Sequence, residues 1–111
     1  GLIEAIRARR TYGATADILL EFSMGGHFMG EEFAAPAVPE MKVRVRGAGP
    51  VSKVSLIRNG KYLAQFTPGT REWSAAYRDT TAPSGGQYYY VRVEQADGNL
   101  AWSSPIWVNL P

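Results

Sequence analysis

The only histidine of the chain, His27, opens the segment H-x-x-x-E-E that ends in Glu31 and Glu32. An imidazole beside two carboxylates is a donor set that a divalent cation could use. The spacing would converge on a helix, but Gly25, Gly26 and Gly30 flank or interrupt the segment and oppose helix formation, and a catalytic zinc draws on three protein ligands. His27 is therefore expected in a turn, with no metal assigned to it. Asp17, Asp79 and Asp97 fall at strand starts or turns, where an aspartate bonds nearby backbone amides, and nothing in their spacing pairs two carboxylates for glycoside hydrolysis. Ser84, Ser103 and Ser104 lie in no G-x-S-x-G elbow, and no motif ties them to His27. The Gly-Gly pairs at 25–26 and 85–86 lack the Lys-Ser/Thr that follows a phosphate loop, so they read as turns. No catalytic residue, metal ligand or cofactor is assigned to this chain.

The aromatic supply is the richer feature. Trp73, Trp102, Trp107 and the run Tyr88–Tyr90 could line a platform on which sugar rings stack, against the simpler reading of core packing and cross-strand pairing. Strand alternation places Trp73 and Tyr89 inward, which leaves Tyr88, Tyr90 and Trp107 as the candidate ligand platform. Lys42, Arg44 and Arg46 form a basic stripe. In an immunoglobulin-type sandwich the second and sixth strands lie in opposite sheets, so this stripe and the tyrosines are expected on opposite sides of the domain.

The elements that must hold these residues are mostly strands. With 111 residues, 45% of them hydrophobic and 20% charged, the composition suits one globular domain. Twelve Lys and Arg against ten acids leave a net charge of +2, which calls for no nucleic-acid partner. No apolar run reaches the ~20 residues of a membrane-spanning helix, and the lack of cysteine excludes a disulfide scaffold without fixing the compartment. Residues 1–10 place Leu2, Ala5 and Ile6 on one face of a short helix, with Ile3 beside them. Strands are expected over 17–24, 41–46, 51–58, 61–67, 71–78, 87–95 and 100–108, with turns at Gly25-Gly26, Gly47–Pro50, Asn59-Gly60 and Asp97-Gly98 and a surface connection over 31–40. Pro105 implies an edge or a bulge in the last strand. The fold class is thus all-β, an antiparallel sandwich of immunoglobulin or fibronectin III type with about seven strands and one short N-terminal helix. Trp73, Tyr89, Val91, Val43, Val45, Leu56, Leu20 and Phe22 are the expected inter-sheet core.

The segments RARRTYGAT (Arg7 to Thr15), ILLEFSMGGHFMGEE (Ile18 to Glu32) and YYYVRVEQADGNLAWSSPIWV (Tyr88 to Val108) carry a resemblance that spans nearly the whole chain. The chain resembles the C-terminal part of a bacterial family of unknown function whose N-terminal body is similar to PHP-type (polymerase and histidinol phosphatase) metallohydrolases. The resemblance implies a piece of a longer protein, in keeping with Gly1 at the position of an initiator Met. Residues 1–16 would be helix and linker from an upstream body, and 17–111 the sandwich. Any divalent metal would sit upstream, and Arg10, Tyr12, Thr15, Gly30 and the AWSSPIW segment would have architectural roles. Leu2, Ile3, Ile6, Arg10 and Tyr12 would form the interface to the body, and the apolar helix stripe could also support self-association. The expected function is a non-catalytic accessory domain of a metal-dependent hydrolase-like protein. The alternative is a module that binds carbohydrate or another surface ligand.

Overall fold

The computed structural model describes residues 13–15 and 18–111, and every regular element among them is a strand. The helix expected over residues 1–10 lies outside the described residues, as do Leu2, Ile3, Ile6, Arg10 and Tyr12. In chain order the strands are β1 (Gly13–Ala14), β2 (Leu19–Met24), β3 (His27–Phe28), β4 (Glu32–Ala34), β5 (Met41–Arg58), β6 (Lys61–Phe66), β7 (Thr70–Tyr77), β8 (Gly85–Gln95), β9 (Leu100–Trp102) and β10 (Ile106–Leu110). Short pairings at β1, β3 and β4, too brief to show alternation, raise the number above the expected seven. Gly13–Ala14, within the segment read as linker, pair with β9.

Period-two alternation sets the faces. Leu20, Phe22 and Met24 of β2, Met41, Val43 and Val45 of β5, and Tyr89, Val91 and Val93 of β8 are all buried in one core. The residues between them face outward, Lys42, Arg44 and Arg46 exposed and Tyr88, Tyr90 and Arg92 partly so. One layer contains β3, β2, the first half of β5 and β7; the other contains β6, the second half of β5, β8, β9 with β1, and β10 with β4. Pairing is antiparallel except between β10 and β4. The connection expected over 31–40 therefore holds a strand. Its backbone is taken up by the free edge of β10, through Trp107 N donating to Glu31 O at 2.9 Å and Gly30 N to Pro105 O at 2.8 Å.

The stretch Gly47–Pro50, expected as a turn between two strands, is a bend inside the single strand β5. Met41–Arg46 pairs with β2 and β7, whereas Val54–Arg58 pairs with β6 and β8, and the register shifts between Arg46 and Val51. A strand that changes sheets turns its corner through such a bend. The amides it frees need acceptors. The buried Gln95 side chain supplies one: its Oε1 accepts from Ala48 N at 2.8 Å and from Gly49 N at 3.3 Å, while Arg71 Nε donates to Gly47 O at 2.9 Å. A Cβ on Gly47 would stand 2.4 Å from Gly49 O and 2.8 Å from Gln95 Oε1, so the corner admits only glycine there.

At the far end of β5 a second polar cluster closes the core. Asp79 receives Arg58 Nη1 at 2.8 Å and the Tyr89 hydroxyl at 2.7 Å on Oδ2, and Thr81 N and Thr81 Oγ1, both at 2.9 Å, on Oδ1. Burial alone would push the Asp79 carboxyl up; the donors from Arg58, Thr81 and Tyr89 outweigh it and hold the group below its ordinary 3.8. Burial, then the adjoining carboxylate, push the Tyr89 phenol far up, so it stays a donor.

Trp73 departs from expectation: it is half-buried, because among the described residues β7 pairs only with β5 and no strand lies along its outer edge. Its indole packs against Phe66 with ring centroids 5.0 Å apart. Trp73→Ala should therefore cost about 2 kcal/mol in denaturant unfolding, below the ~3–5 kcal/mol of a fully buried Trp, while Leu56→Ala costs about 2–5. A Trp73 loss in the upper range would contradict the open edge. Asp79 contributes stability that is complete above its unfolded pKa of about 3.9 and is lost as pH falls through the depressed folded value. Asp79→Asn should cost about 2–3 kcal/mol at pH 7, because Arg58 keeps some access to water. The difference from wild type should shrink as the pH is lowered below about 3.9; parallel curves would contradict this.

Candidate functional site

The structure brings Tyr88, Tyr90 and Trp107 together on the outer face of the second layer. Tyr88 and Trp107 are cross-strand partners between β8 and β10, with ring centroids 5.0 Å apart and planes tilted by 43°. Tyr88 and Tyr90, alternate residues of β8, have near-parallel rings 6.4 Å apart. Strand pairing extends the cluster beyond these three. One row crosses the face as Tyr62, Ile57 and Tyr90, the next as Tyr88, Trp107 and Glu32, and a third as Ser55, Arg92 and Trp102. Trp102 lies against Gly13, where any Cβ would meet the indole at 2.6 Å. Ile57 is only 5% exposed although it sits outside the inter-layer core, so the surrounding rings already shield it.

Sequence reading missed Tyr62, and it left Trp102 out of the platform. The Asn59-Gly60 hairpin carries the signal for Tyr62. With Arg58 opposite Lys61, Tyr62 must stand beside Ile57. For Trp102 the signal was its register with Arg92, which the sequence does not display.

Three polar residues at the rim of the rings, Asn59, Glu32 and Arg92, have partners within the domain. Asn59 Oδ1 accepts from Tyr88 N at 2.9 Å and its Nδ2 donates to Gln87. Glu32 accepts from Asn109 Nδ2 at 3.1 Å, and Arg92 pairs with Glu94 on its own strand at 3.9 Å.

The remaining candidates do not assemble into chemistry. His27 stacks on Phe33 at 3.8 Å and approaches Glu31 at 3.4 Å, while Glu31 also accepts from Phe28 N, which makes this a turn held by its own side chains. Glu32 is turned to β10, and among the described residues no three His, Cys, Asp or Glu side chains converge. Ser103 is buried, its Oγ accepting from Val91 N at 2.9 Å where β9 passes into β10. Thr15 ties β1 to β9, its Oγ1 accepting from Leu100 N at 2.7 Å. On the opposite layer, Glu21, Ser23, Phe28, Lys42, Arg44 and Ser74 border a groove of about 650 Å³. Glu21 faces Arg44 across the ladder and Glu72 pairs with Arg46 at 3.4 Å, so the basic stripe belongs to a mixed, solvated face.

No family model matches the chain. It is 35% identical over 127 aligned positions to an uncharacterized protein of Chlamydia pneumoniae, and 30% identical to another from Chlamydia trachomatis serovar D. Each alignment takes in 98% of this chain and 20% of the relative, so the chain spans about a fifth of the length of the curated relatives it matches. Among solved structures it is similar to the fibronectin(III)-like modules of Clostridium thermocellum CbhA, with a TM-score of 0.53 and 20% identity over 81% of this chain and 97% of that one. It is also similar to a Jonesia denitrificans lytic polysaccharide monooxygenase, with a TM-score of 0.51 and 15% identity over 76% of this chain and 59% of that one. The chain is an all-β, fibronectin III-like domain that matches part of longer, uncharacterized bacterial proteins.

Proposed function

We propose that this chain is the non-catalytic C-terminal accessory domain of a larger, metal-dependent hydrolase-like protein. Its upstream body would resemble the PHP-type metallohydrolases and hold the divalent metal there. The observation that carries this reading is the match to a fifth of much longer relatives by a domain whose own side chains are engaged in holding its fold. The segments behind the resemblance support it. AWSSPIW forms β9, the Ser103–Pro105 break and the start of β10, while Thr15 and Gly30 fasten the chain at the edges of the same layer. Those are architectural tasks. Arg10 and Tyr12, with Leu2, Ile3 and Ile6, would face the body.

The test is to purify the longer polypeptide and the 111-residue chain separately, measure bound metal, and assay phosphoester hydrolysis with Mn²⁺ or Zn²⁺. Metal and hydrolysis are expected in the longer polypeptide, and neither in the chain alone. A stoichiometric Zn²⁺ isotherm for the chain that His27→Ala abolishes would overturn the assignment.

A further inference from the structure

We infer that the aromatic outer face of the second layer is the surface on which this domain seats against the rest of the same longer polypeptide; the inference rests on the accessory-domain reading. Tyr62, Trp102 and Trp107, at 64%, 38% and 45% exposure, are the large hydrophobic residues left exposed among the described residues. All three lie on this one face, in register with Ile57, Arg92 and Tyr88. The other outer face presents Lys42, Arg44, Arg46 and Glu72 instead.

From β6 to β4 the face is four strand spacings of about 4.8 Å wide, and from Tyr88 to Arg92 it runs four rises of about 3.4 Å, which gives about 260 Å². The largest apolar patch of an ordinary monomer, about 300–600 Å², is often functional, and this aromatic face comes close to that extent. Tyr, Trp and Arg are also the residue types enriched where proteins meet.

Two observations choose the occupant. The first is the path of the chain. Gly13 lies directly against the Trp102 ring, and Thr15 fixes that point to β9, so the first described residue stands at the rim of this face. With relatives about five times as long, most of the polypeptide lies before that residue or beyond the other end. The second is the rim chemistry. A sugar needs free directional partners for its hydroxyls, and of the groups that border the rings Asn59 and Glu32 are hydrogen-bonded within the domain, while Arg92 lies 3.9 Å from Glu94. An apolar protein surface makes no such demand.

Hydroxyl-radical footprinting read by mass spectrometry tests this on the unaltered chain and on the longer polypeptide. Modification of Tyr62, Trp102 and Trp107 should fall about fivefold in the longer polypeptide, as water exclusion at an interface requires, while Leu19 and Phe28 of the other layer keep their rates. Equal rates at the three aromatics in both proteins would overturn the inference and leave the accessory-domain reading standing. A fall in the chain alone as its concentration rises would assign the face to a second copy. A fall in the chain with hydroxyethylcellulose, and none in the longer polypeptide, would assign it to carbohydrate. Either result overturns the inference. Should an immunoblot of the source cells show only a 12.2 kDa species, both readings fail together.

Discussion

A strand that passes from one sheet to the other must open its ladder at the corner, and here the amides freed in β5 are caught by one buried side chain, Gln95. Everything else in the fold hangs from that corner. Among the described residues β5 is the only strand shared by the two layers: Met41–Arg46 pair with β2 and β7, and Val54–Arg58 with β6 and β8. Gly47 leaves room for the amide oxygen, and Gln95 itself ends β8, so the acceptor comes from the strand that the second half of β5 must pair with. The corner and the β5–β8 register are therefore one constraint. Ala96 N donating to Pro50 O at 3.0 Å and Gly69 N to Val51 O at 2.8 Å extend it to the loops on either side.

The two layers that result are chemically unequal. The buried core residues of both are Val, Leu, Ile, Met, Phe and Ala, with Tyr89 as the large ring whose hydroxyl Asp79 receives. Outward, the first layer is charged and the second aromatic. The asymmetry follows from β5 itself. Its first half places Lys42, Arg44 and Arg46 outside, and its second half places Ser55 and Ile57 outside, beneath the rings of β6 and β8. The fold thus gives one face to water and leaves the other suited to a partner.

Alternation made most of the inward set legible: Leu20, Phe22, Val43, Val45, Leu56, Tyr89, Val91 and the outward Tyr88 and Tyr90 fall where period two puts them. The hairpins at Gly25-Gly26 and Asn59-Gly60 were legible from their turn residues, and their positive φ angles fit that reading. What the sequence concealed depends on partners distant along the chain. Gly47–Pro50 has turn chemistry whether the chain reverses within a sheet or bends between sheets, and only Gln95 decides. β4 has no period of its own, because β10 recruits it. Trp73 alternates as an inward residue, yet whether an inward face is covered depends on how many strands lie beyond it. Alternation groups Tyr88, Tyr90 and Trp107 as one platform, but Tyr62 and Trp102 join them only through cross-strand register.

The corner is tested most directly by native-state hydrogen exchange on Gln95→Met, which keeps the side chain's bulk and removes its amide. Two part-buried amides lose their acceptor, a loss of about 2–4 kcal/mol at ~1–3 for each unsatisfied group, tempered by access to water. If the corner joins the layers, protection at Phe22 in β2 and at Val91 in β8 falls together by the same amount. A loss confined to residues 47–50, or one that lowers protection in one layer and spares the other, would contradict the account.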